Sequence, residues 1–303
     1  MVPDDKFYIR STQLILEIQS RSYNELLEWY EEMLFAFISV QQSLADAKVK
    51  LNSRWKDSET LVNKLILHLI ALKGLYKGTE IEIKGKDIKG KCKDISSIYV
   101  LLRAILENLL IYNHIFISSK NEEEVSFKYD VWIMTSLIGR QKINPVSNYA
   151  KEIHLKEKVQ IDNLREKIKN SVYFQNLTSK QQNELLKRGD SRIFKPWVTL
   201  LDEMGFGNVF GIKDAYFIMS NHAHSEAISI MQINDSNSES KYEREKLYCY
   251  SVMYGMIFIS RIFVIQLKKY KISELKFNML SQDLKDRILT LEKASYYSVE
   301  KLW

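Results

Sequence analysis

Ser96-Ser-Ile-Tyr-Val-Leu-Leu-Arg103-Ala-Ile-Leu-Glu107-Asn-Leu-Leu-Ile-Tyr-Asn-His114 decides the fold of this chain. Ile98, Leu101, Leu102, Ile105, Leu106, Leu109, Leu110, Ile111, Ile115 and Phe116 put apolar side chains on nearly every face. A helix that is apolar all round is a buried one. Arg103 and Glu107 stand i,i+4 within it, and an unpaired charge in such an interior is costly. The expectation is therefore a dry central helix carrying an ion pair, with Asp94 or Ser96 as its cap.

Outward from that helix the periodicity stays helical. Leu14, Ile18, Leu26, Leu27, Tyr30, Leu34, Phe37 and Ile38 predict helix between about Phe7 and Asn52, with a break near Arg21–Tyr23. Leu61, Leu65, Leu69 and Leu72 predict a second over Ser58 to Tyr76. Gly78 to Gly90 then alternates apolar and polar residues among three glycines, which predicts a short hairpin or structured loop near 78–93. Later helices are expected at Glu122–Ile143, at Tyr149–Ser171 as a charged surface helix, and after the capping box Thr178-Ser-Lys-Gln181. Further ones follow Pro196, at Gly211–Ile233, Lys241–Tyr270 and Leu284–Lys301, with Asn234–Ser240 as an exposed loop.

The 303 residues are 46% hydrophobic and include 10 Gly and 3 Pro, a composition that suits long helices around a sizeable core. The reading is all-α: a single multi-helix bundle over 1–303, with N-terminal helices 7–76, a central bundle 95–233 and C-terminal helices 241–301. A net charge of +6 is compatible with nucleic acid without identifying it. Cys92 and Cys249 read as free thiols of a cytoplasmic protein, and no secretory signal is visible. Leu247–Leu267 is long enough to span a bilayer, but an arginine near the membrane centre, here Arg261, costs at least ~2.5 kcal/mol. No stable membrane insertion is expected.

Candidate chemistry lies in Asp214-Ala-Tyr216-Phe-Ile-Met-Ser220-Asn221-His222-Ala-His224-Ser-Glu226. Tyr216, Ser220 and His224 are successive i,i+4 neighbours, which makes His224 the inward histidine and places His222 nearer solvent. Set opposite Arg103 and Glu107, this row offers a planar fork of donors for a phosphate and an imidazole for proton transfer. Arg103, Glu107 and His224 are the catalytic candidates; Tyr216, Ser220, Asn221 and His222 are candidates for substrate binding. The alternative is a polar network that only fixes helix packing. No metal is expected, because His222 and His224 point about 200° apart on a helix. Gly205–Gly211 follows a helix rather than a strand, which excludes a dinucleotide loop. The lysines at 77, 84, 86, 89, 91 and 93 could grip a phosphate backbone but are interleaved with Glu80, Glu82 and Asp87.

The Arg103-x3-Glu107 helix and the Tyr216-x3-Ser220-x3-His224 segment resemble those of a bacterial family of uncharacterised helical proteins, over roughly Ser58 to Ile233. The resemblance implies architecture rather than mechanism. Ser220-Asn221-His222-Ala223-His224 also resembles, more loosely, the late helix of HEPN ribonucleases, with Met219 or Ser220 standing where those carry arginine. That likeness implies RNA or a nucleotide as ligand, a homodimer, metal-independent cleavage without a cofactor, and a part in toxin or anti-phage systems. In such a mechanism Arg103 would substitute for the missing arginine.

Overall fold

A computed structural model describes residues 5–83, 85, 88–206, 211–224, 226–238 and 241–295. In chain order the elements are α1 (Asp5–Ser20), α2 (Tyr23–Asp46), α3 (Ser53–Lys77), β1 (Thr79–Ile83), β2 (Ile88–Cys92) and α4 (Ile95–Tyr112). A π-helical turn, Asn113–Ile117, follows. Then come α5 (Glu122–Arg140), α6 (Asn148–Lys169), α7 (Val172–Gln175), α8 (Ser179–Arg188) and α9 (Trp197–Glu203). The last elements are α10 (Ile212–Ala223), α11 (Ala227–Ser238), α12 (Lys241–Lys269), α13 (Lys271–Asn278) and α14 (Gln282–Ala294). The protein is all-α with one two-stranded antiparallel hairpin among the described residues.

The chain packs as two compact units, residues 1–109 with 205–303, and residues 110–204. In the first, α12 is the central helix, packed by α2, α3, α13 and α14. Tyr30 and Tyr76 meet edge to face at 5.3 Å, and their hydroxyls donate to the Leu69 and Ser251 carbonyls at 2.7 and 2.6 Å. These two bonds satisfy buried phenols that would otherwise be costly to desolvate. Gly255 of α12 lies against Tyr30 so closely that a Cβ there would sit 2.6 Å from the ring. Arg261, 1% exposed, is held by Glu292 and Ser295 of the α14 end and lies over the Phe206 ring. α12 and the stretch Ile95–Ile117 are each long and apolar enough to cross a membrane, and the α12 window is mostly buried inside the protein.

In the second unit, α5 to α8 enclose Phe127, Val131, Met134, Leu137, Ile161, Ile168, Phe174 and Leu185. Burying such side chains contributes about 1.5–3 kcal/mol each. α6 meets this core through Ile161 and Ile168 while most of its surface faces solvent, as its charge pattern predicts. Gly189 ends α8 at φ +68°, with its backbone pressed on Thr135.

Several boundaries differ from the sequence reading. The break near Arg21 is real: Ser22 and Glu25 form a capping box that opens α2. The helix expected over Gly211–Ile233 is two helices, parted at His224–Glu226, where the Glu226 N–H turns back to the Asn221 carbonyl at 3.1 Å. The loop expected at Asn234–Ser240 is helical through Ser238, because no glycine or proline interrupts α11. α13 was not expected. The last helix begins at Gln282 and is described to Ala294; its expected extension to Lys301 lies outside the described residues, as do 207–210 of the glycine-rich stretch. On the hairpin, Glu82 pairs with Lys89 at 2.9 Å and Glu80 stands opposite Lys91, so these charges compensate across the strands.

Candidate functional site

Asp94 starts α4: its carboxylate accepts from the Ser96 N–H at 3.0 Å and from the Ser97 hydroxyl. α4 and α10 meet through their side chains: His222 meets Ser96, His224 meets Arg103 and Tyr216 meets Glu107. Ser220, small and central on this face, donates to the Tyr216 carbonyl at 2.7 Å, so its hydroxyl is already engaged.

Four side chains converge. Arg103 Nε donates to Glu107 Oε1 at 2.8 Å, and the Tyr216 hydroxyl donates to the same oxygen at 3.0 Å. Arg103 Nη1 lies 3.0 Å from His224 Nε2. A guanidinium can only donate, so Nε2 accepts in this contact and the ring proton resides on Nδ1. Burial, followed by the Glu107 charge, raises the Tyr216 pKa, which keeps the phenol a donor.

The dry ion pair read from the sequence is corrected here. Arg103 and Glu107 keep 15% and 26% of their side-chain surface exposed, because they occupy the side of α4 that faces the end of α10. The two histidines are also exchanged. Ile212, Ala215, Met219 and His222 form the buried stripe of α10, and His222 is 6% exposed, while His224 is exposed at the C-cap where the helix stops. The missed signal is that stripe of i, i+3, i+7 and i+10 spacing, which carries His222 inward. His222 packs against Tyr99 at 5.0 Å, and burial holds its pKa below the usual imidazole range. Asn221 is likewise buried. The structure thus brings Arg103, Glu107, Tyr216 and His224 together, and places Asn221 and His222 behind them.

Among the described residues no group of three His, Cys, Asp or Glu side chains is arranged to hold a metal ion. Cys92 and Cys249 are free, and burial pushes the Cys249 thiol up to about 11. What the cluster offers chemically is a fixed cation beside an exposed imidazole, with a carboxylate and a phenol holding the cation in place. No family model, curated protein or solved structure is significantly similar to the chain.

Proposed function

We propose that the Arg103–His224 cluster binds a phosphate of RNA or of a nucleotide, and that the protein is a HEPN-like, metal-independent endoribonuclease of the cytoplasm, acting as a toxin-type or anti-phage effector. The observation that carries this reading is the 3.0 Å contact between Arg103 Nη1 and the exposed His224 ring. An incoming phosphate oxygen competes for Nη1 as a charge-assisted acceptor. Once Arg103 turns its outer donors to the phosphate, Nε2 is released as a base beside the bound group. It then takes the proton of the ribose 2′-hydroxyl, whose oxygen attacks phosphorus. The 5′-oxygen leaves with a proton from solvent, and Arg103 stabilises the charge that builds on the phosphoryl oxygens. Glu107 and Tyr216 do not touch the substrate; they orient Arg103.

The competing reading, a non-catalytic interaction protein, draws on the shared oxygen of Glu107: Arg103 and Tyr216 both bond to it, tying α4 to α10. Arg103→Ala separates the two. A variant that melts near the parent temperature but no longer binds labelled RNA supports the site. A variant that loses several degrees of stability, in a parent that binds no RNA, supports the tie.

A further inference from the structure

We infer that Phe217 is the stacking platform for a base next to the phosphate held at Arg103 and His224, so that the ligand is single-stranded RNA rather than a bare phosphate group. This rests on the reading of the cluster above. Phe217 is 61% exposed and makes no ring or cation contact among the described residues. A single exposed aromatic is ordinary on a protein surface; its position is what distinguishes this one. Seven residues separate it from His224, which leaves the two within about 20° of one line along the helix and about 10 Å apart. His224 remains on that track, because its N–H still bonds to the Ser220 carbonyl at 3.1 Å.

Most neighbouring positions agree, the exception being Asn221, which is i+4 from Phe217 and buried. Tyr216 turns toward Glu107 on α4, and the buried stripe of Ile212, Ala215, Met219 and His222 lies on the opposite side from Phe217. The ring therefore stands in solvent on the His224 side of α10, one nucleotide's reach from the cluster. Every base has a π face, so the contact is tolerant of sequence. Bases stacked and paired within a duplex are not free to use it, which is the physical origin of the preference for single strands.

The test measures binding of a labelled single-stranded RNA hexamer, and of the same hexamer with abasic riboses, to the parent, Phe217→Leu, Phe217→Trp and Arg103→Lys proteins. Stacking on one aromatic ring supports a loss of about tenfold on its removal. Phe217→Leu should weaken the intact hexamer by that factor, Phe217→Trp should bind at least as tightly as the parent, and the abasic hexamer should be indifferent to position 217. If Phe217→Leu binds the intact hexamer like the parent while Arg103→Lys does not, the platform is wrong and the phosphate site stands. If no hexamer shows binding that depends on Arg103, both readings fall together.

Discussion

Arg103 is gripped from one side by Glu107 at 2.8 Å and meets His224, at the C-cap of α10, on the other at 3.0 Å. The geometry depends on a fork of donors, which lysine lacks. Arg103→Lys keeps the charge but loses simultaneous contact with Glu107, His224 and a phosphate. RNA affinity is expected to fall about tenfold or more, the scale of one charge-assisted hydrogen bond. The melting temperature should change little. Parallel binding isotherms and thermal melts check this, and unchanged affinity would count against a phosphate at Arg103.

Tyr216→Phe removes the hydroxyl that donates to Glu107 Oε1. The bond is partly exposed, so the expected loss of stability is about 1 kcal/mol. A larger relative loss in RNA turnover than in RNA binding would identify Tyr216 as a residue that positions Arg103. Equal losses in both would assign it to packing alone.

His114, in the π-helical turn, is 1% exposed, and burial with Lys128 and Lys195 nearby lowers its pKa to about 3. The unfolded chain holds a histidine near 6.5, so between these values the unfolded state binds the extra proton. The contribution is complete above pH 6.5 and is lost as pH falls toward 3, with a slope approaching about 1.4 kcal/mol per pH unit. Urea unfolding of the parent and His114→Leu from pH 7 to pH 4.5 should show the difference between them shifting in favour of the variant as pH falls. A constant difference would contradict the assignment.

Gly255→Ala drives a methyl group into the Tyr30 ring between α2 and α12, and overpacking of this kind costs about 1–3 kcal/mol. Gly139→Ala, in α5 with open space around its Cβ position, is the control and should be neutral or slightly stabilising. Denaturant midpoints report both.

α12 carries Arg261 within its buried stretch, bound to Ser295 and facing Glu292 at 3.7 Å. A lipid-facing helix would leave this arginine in hydrocarbon. The expressed chain should stay in the supernatant after ultracentrifugation without detergent. Sedimentation with membranes that resists alkaline carbonate would contradict that.

Periodicity made the helices legible through the apolar spacing of α2, α3 and α4, while the alternation at Thr79–Cys92 left a hairpin or a structured loop open and the structure shows the hairpin. Pairing Arg103 with Glu107 followed from i,i+4 spacing, whereas setting them against Tyr216 and His224 was a hypothesis that spacing within each helix could not supply. Burial did not follow from spacing either. The reading of α4 as dry counted apolar residues without the partner helix that leaves Arg103 at its edge. The reading of His222 and His224 passed over the stripe of Ile212, Ala215, Met219 and His222, and it assumed a helix running on to Ile233, whereas α10 stops at Ala223 and leaves His224 exposed at its end. Local propensity carries no record of where one helix ends against another, and the exposed ring of Phe217 depends on that packing too.

Cleavage of single-stranded RNA by the purified protein beside a folded His224→Ala variant, with chelator present throughout, tests the central claim most directly. Expected are products ending in a 2′,3′-cyclic phosphate from the parent, reduced at least a hundredfold in the variant, the usual scale for a lost general base. Equal cleavage by both proteins, or no cleavage and no RNA binding by the parent across a range of salt concentrations, would contradict it and leave the cluster as a structural tie between α4 and α10.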